Sequence, residues 1–114
     1  MVDLNVAIYY LLKAIAPVSL EFPDTGAKFP LITITEVTNT ESFTVEGRER
    51  ITEATYQIDV WDNYVDRSRC EYIANQVNDT MVQNHFRRVL GRGFRDVSGL
   101  HRKMMYFKTE AINL

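Results

Sequence analysis

Asp59, Asp62 and Asp66 are the nearest approach to a carboxylate cluster in this chain. A divalent cation needs several oxygen ligands converging on one point, and the spacing here fits no calcium loop, which would also need a central glycine and a closing glutamate. A simpler reading puts Asp59 on the polar face of a strand, Asp62 in a turn and Asp66 at a helix N-cap. Cys70 is the single cysteine, so no intrachain disulfide can form. A thiolate at a helix N-terminus is activated, but Cys70 aligns with Ile73, Ala74 and Val77 on an apolar face and reads as core. His85 and His101 are far apart, show no zinc-ligand spacing and are expected at the surface. Gly91-Arg92-Gly93 lacks the lysine and hydroxyl residue of a phosphate loop and follows a helix rather than opening one. It reads as a helix stop. No serine–histidine–acid pattern, metal motif or cofactor loop is present. The expectation is a protein that is not an enzyme and takes no metal or cofactor.

The basic residues are more informative. The chain has 114 residues and a formal net charge of −2. Residues 1–86 hold 6 Lys and Arg against 13 Asp and Glu, a net −7, whereas residues 87–114 hold 7 against 2, a net +5. Arg87, Arg88, Arg92, Arg95, Arg102 and Lys103 make up most of the positive segment. Arg87 and Arg88, read as lying near a helix C-terminus, would meet the negative end of its dipole. The others suit an acidic protein surface or phosphates. The overall negative charge favours protein over nucleic acid. A small nucleic-acid-binding module built on residues 87–103 is the alternative.

These residues must be carried by a small set of elements. Residues 3–16 have apolar positions Leu4, Ala7, Ile8, Leu11, Leu12 and Ile15 at helical spacing, with Asp3 as N-cap and Pro17 as terminator. Pro23, Gly26 and Pro30 mark residues 18–30 as turns and extended connections. Leu31–Val37 alternates as a strand, Thr38–Ser42 is turn-like, and Phe43–Glu46 reads as a second short strand before Gly47. Glu53–Trp61 is the clearest strand, with Tyr56, Ile58 and Val60 on one face and Thr55, Gln57, Asp59 and Trp61 on the other. A long hairpin is therefore expected, with the charged stretch Arg48-Glu49-Arg50 near its tip. A second helix is expected over 66–86, with Cys70, Ile73, Ala74, Val77 and Met81 on one face. Strands at Phe94–Ser98 and Lys103–Ala111 follow, separated by Gly99. Strands joined by hairpins give a mostly antiparallel sheet of four or five strands. Two amphipathic helices cover one face of it. The fold class is α+β, a two-layer sandwich in a single domain over 1–114. No apolar run approaches the roughly 20 residues of a membrane span. Trp61 is core if its face is covered and an interface anchor if it is not.

Several of these segments together resemble a known family. They are the strand Tyr56-Gln-Ile-Asp-Val-Trp61, the helix over 66–86, the Gly93-Phe94 turn and the basic His101-Arg102-Lys103 ahead of the last strand. The Pro-led strand Phe29-Pro30-Leu31-Ile32-Thr33-Ile34 adds to them. The order and patterning are similar to the short tail completion or tail terminator proteins of long-tailed bacteriophages. That resemblance implies a structural virion protein, assembled in the bacterial host cytoplasm and placed at the head–tail junction. It implies a ring, typically hexameric, on the head-proximal end of the tail tube. The ring would end tube polymerisation and present a surface to the head connector. Its partners would be further copies of itself, the tail tube protein and the head connector or head completion protein, with DNA passing through without specific binding and no membrane involved. The family supplies no catalytic residues to carry over. A head-to-tail ring needs two different complementary patches on each subunit. The candidate contact residues are Arg48, Glu49 and Arg50 at the hairpin tip, Trp61, and the basic set Arg87, Arg88, Arg92, Arg95, Arg102 and Lys103.

Overall fold

The computed structural model describes residues 4–20, 22–24, 26–43 and 50–113. The elements run α1 (Asn5–Leu12), β1 (Val18–Ser19), β2 (Leu31–Phe43), β3 (Arg50–Asp62), α2 (Ser68–Gln83), β4 (Arg87–Arg95) and β5 (His101–Asn113). The strands form one five-stranded sheet in the order β1-β2-β3-β5-β4, antiparallel except where β1 meets β2. The fold is the expected α+β arrangement. Its long axis of 55 Å follows from strands of 13 residues, which at about 3.3 Å per residue reach about 43 Å.

Alternation on β3 decides which face the helices cover. Ala54, Tyr56, Ile58 and Val60 are fully buried on one side. They pack with Ile32 and Ile34 of β2 and with Met105 and Phe107 of β5. Ile8 and Leu12 of α1 and Cys70, Ile73, Ala74, Val77 and Met81 of α2 close the same core. The Tyr56 hydroxyl accepts the Leu4 N–H at 3.1 Å, tying the start of α1 to the central strand.

Helix α1 ends at Leu12, short of the expected residue 16 and of Pro17, and residues 96–98, expected to complete a strand from Phe94, turn the chain between β4 and β5 instead. Three further boundaries differ from the expectation. Thr38–Ser42 is not a turn, because pairing with β3 continues through Phe43 opposite Arg50. The chain passes through a bulge between Glu36 and Thr38, which absorbs the break in alternation at Val37 without ending the strand. The rest of the expected second strand, 44–46, and the loop 47–49 lie outside the described residues. A short strand, Val18–Ser19, runs parallel to Ile32 and Thr33; two residues carry no periodicity from which to predict it.

The third difference bears on the basic segment. Helix α2 ends at Gln83, and Gly91-Arg92-Gly93 is not its stop but lies inside β4. The chain reverses earlier, at Asn84 and His85. The His85 N–H donates to the Val82 carbonyl at 3.2 Å and the Phe86 N–H to the Met81 carbonyl at 3.0 Å. This pair of bonds is a Schellman cap, and it places His85 at the left-handed position, φ 70°. Phe86 then tucks beside Met81 in the core, the apolar contact that accompanies such caps. Glycine normally occupies this position, so His85 conceals the helix end in the sequence. Arg87 and Arg88 accordingly belong to a strand and do not serve a helix dipole.

Two stability changes follow. His85→Gly should raise the unfolding free energy by about 0.5–1 kcal/mol, because it removes the left-handed strain that costs a side-chain-bearing residue about 1–2 kcal/mol. Ile58→Ala should lower it by about 2–5 kcal/mol through the cavity left in the core. Urea denaturation followed by circular dichroism measures both.

Candidate functional site

The chemistry-bearing side chains separate onto two sides of the sheet. Register places Asp62 opposite His101 on the helix side, and Trp61 opposite Arg102 on the other. Asp62 is fully buried and held by Arg69, whose Nε donates at 3.0 Å and Nη2 at 2.5 Å. Asp66 is exposed and accepts the Ser68 N–H at 2.9 Å and hydroxyl at 2.6 Å; it stands one residue before the N-cap of α2, which is Arg67 rather than the expected Asp66. The three aspartates thus do not converge. Among the described residues no group of His, Cys, Asp and Glu could hold a metal ion. Cys70 lies fully buried on the apolar face of α2, as expected, and burial pushes its thiol up to about 11. His101, expected at the surface, is 7% exposed because β5 begins at it and pairs it with the end of β3.

Asp59 is the centre of the second side. It is fully buried on the face away from the helices. Arg102 Nε donates to its Oδ1 at 2.9 Å and Gln57 Nε2 to its Oδ2 at 2.7 Å. Arg102 also donates to Asp96 Oδ1 at 3.2 Å. Its guanidinium lies 4.3 Å from the Trp61 ring centre and within 5.3 Å of those of Phe22 and Phe94. Trp61 is 4% exposed, packs against Phe22, and donates its ring N–H to Thr33 Oγ1 at 2.9 Å. The segment carrying Phe22 therefore covers this end of the sheet, and Trp61 is an internal residue of a small second core.

The basic set divides accordingly. Arg102 and Lys103 serve the fold, Lys103 by pairing with Glu71 at 3.2 Å. Lys108 pairs with Glu53 at 2.5 Å. Arg87, Arg88, Arg92 and Arg95 are exposed along β4 and make no ion pair among the described residues. Arg92 only overlies Phe94, at 5.3 Å. Arg50 opens β3, while Arg48 and Glu49 lie outside the described residues. Part of the charge split is thus cancelled inside the subunit by pairs between the two segments, and the uncancelled part is a strand edge bearing four arginines.

Gly93 has a distinct role in that edge. Arg67, at the start of α2, reaches over it to donate to the Phe94 carbonyl at 3.1 Å and the Arg102 carbonyl at 3.3 Å, while pairing with Glu71 at 3.1 Å. A Cβ on Gly93 would collide with the Arg67 guanidinium. A side chain at this position would have to displace the Arg67 guanidinium from its two carbonyl partners, a reason for glycine that leaves no periodic trace in the sequence.

Substitution can separate the two kinds of arginine. Arg102→Met should cost about 3–5 kcal/mol, since it leaves buried Asp59 without its cation. Arg92→Ala should stay within about 0.5 kcal/mol of wild type. Thermal denaturation of the two variants is the measurement. A pH dependence also follows. Burial alone would raise the carboxyls of Glu71 and Asp96, but other contacts outweigh it and hold both below their ordinary values. Those contacts are Arg67 and Lys103 for Glu71, and Ser98 and Arg102 for Asp96. With the folded value depressed, the stabilisation is present above the unfolded carboxylate range of about 4 and is lost as pH falls through the folded value. Denaturation midpoints should be flat from neutrality to about pH 5 and drop below about pH 4, and Glu71→Gln with Asp96→Asn should flatten that drop.

No curated protein matches this chain. A family model does: residues 6–101 match that of tail completion protein gp17. The match runs from within α1 to His101, the first residue of β5, and takes in Asp59, Trp61, helix α2 and the whole arginine edge of β4, stopping just short of Arg102. The chain belongs to the phage tail completion protein gp17 family.

Proposed function

We propose that this chain, a structural virion component of the tail completion family, works as a ring at the head-proximal end of the tail tube. The ring, hexameric in the simplest reading, ends tube polymerisation and gives the head connector its docking surface. The observation that carries this reading is the family match over most of the chain. The four exposed β4 arginines support it, because exposed charges contribute little to a fold and guanidinium groups are enriched at protein interfaces. Genomic DNA passes through such a ring without sequence-specific contacts. The partners are the tail tube protein, the head connector or head completion protein, and other copies of the chain.

A second reading has the same arginine edge binding nucleic acid. It draws only on Arg87, Arg88, Arg92 and Arg95, since Arg102 and Lys103 are engaged internally. That reading requires affinity falling steeply with salt.

Deletion of the gene in its phage should yield particles with tails of uncontrolled length, or tails and filled heads that fail to join, as seen by electron microscopy. Particles of normal tail length with attached heads would sink the proposal. Titration of the purified protein with duplex DNA at rising salt decides the second reading, which ends if no salt-dependent binding is found.

A further inference from the structure

Among the described residues, both outer strands of the sheet have a side on which no strand lies. Strand β4 pairs with β5 and with no other described strand. On the opposite side β1 covers β2 only at Ile32 and Thr33, and among the described residues no strand lies against Thr35–Phe43. Strand β4 is 9 residues long, the same length as that open stretch. Their charges are opposite. Strand β4 has four arginines and no acidic residue; Thr35–Phe43 has Glu36 and Glu41 and no basic residue. Unpaired backbone donors and acceptors along a strand are a template for another strand.

From these observations we infer that the open stretch of β2 in one copy receives β4 of the next, continuing the sheet from subunit to subunit. This rests on the ring reading above and names its contact. Direction agrees with it. Each neighbour in β2-β3-β5-β4 is antiparallel to the last, so β4 runs opposite to β2. A cyclic operator with its axis along the strands preserves direction, so β4 meets the next copy's β2 in antiparallel fashion, the slightly more stable pairing. The two edges differ, making the contact head-to-tail, the type that closes into rings. Faces agree too. Glu36 pairs with Tyr56, and Arg88 and Arg95 pair with Phe107 and His101, all on the helix-covered side. In a continued sheet the carboxylate and those guanidinium groups share a face, as cross-strand partners must. Two β4 edges, by contrast, would set arginine against arginine, so β4 cannot serve as its own partner.

The test uses Arg95→Glu and Glu36→Arg, each exposed and outside both cores, with circular dichroism and melting temperature confirming the fold. Assembly is followed by light scattering and analytical ultracentrifugation. Each single variant should need roughly tenfold higher concentration to assemble, the equivalent of about 1.4 kcal/mol per contact. The double variant should regain wild-type assembly. An equimolar mixture of the two singles should regain it too, because alternating copies satisfy every contact. Wild-type rings with single variants that assemble equally well overturn the inference while leaving the ring intact, as does a double variant that stays impaired. Singles that form normal rings but lose tube or connector binding overturn it and assign the edge to that partner. A wild-type chain that stays monomeric even on tail tubes overturns the ring reading itself.

Discussion

Asp59 places a full negative charge in the interior of a small domain, and much of the architecture answers that placement. A buried carboxylate is tolerated only when it is paired and its remaining lone pairs are satisfied. Arg102 supplies the charge and Gln57 a further hydrogen bond. Arg102 is itself partly desolvated. The carboxylates of Asp59 and Asp96 more than offset the burial and keep its affinity for the proton above the ordinary guanidinium range. To hold it there, the structure recruits Trp61 from β3, Phe94 and the Asp96 turn from the β4 side, and Phe22 from the segment before β2. One ion pair thus pins β3, β4, β5 and the connecting segment on the face the helices leave uncovered. A two-layer domain with helices on one side has this need in general. Here it is met at one end by a polar-aromatic plug in place of a third layer.

The plug also explains which charges are available for contacts. Arg102 and Lys103 are adjacent on β5, so their side chains leave on opposite faces. One reaches Asp59 and the other Glu71, on the two sides of the sheet. Each cation is neutralised where it emerges. The four arginines of β4 run beside them and form no ion pair among the described residues, so the positive charge left on the fold is concentrated at an edge. The split of −7 against +5 is therefore a mixture. Part of it is the internal wiring of the sheet and part is the exposed arginine edge of β4.

The sequence was legible where burial imposes a period. Strand β3 alternates because one face is core, and its inward and outward residues were assigned correctly. Helices α1 and α2 were found from their apolar stripes. Legibility failed where structure depends on contacts without a period. Strand β4 is exposed along nearly its whole length, so no alternation announces it, and its two internal glycines imitate a loop. Gly93 lies under the Arg67 guanidinium, which crosses it to reach the Phe94 carbonyl. The end of α2 was hidden because a histidine takes the place of the usual glycine. Among the site residues, the basic set was legible as a composition, but its division into structural and free members was not. That division depends on which cations find a carboxylate across the sheet, which is information about strand order.

An exposed edge strand is ordinarily a hazard, since it pairs with whatever strand it meets. Strand β4 carries the usual safeguards: four arginines and a register shift between Arg88 and Leu90 that disturbs the ladder. Such safeguards work by repelling copies of the same edge. They do not repel an acidic edge, and β2 ends in one. The same residues can therefore keep the free subunit from indiscriminate aggregation and select one partner surface. If that selection operates, the near-neutral total charge of the chain has a physical meaning. Each subunit would bring one edge of each sign, and closing a ring would cancel both without leaving an end on which further copies could add.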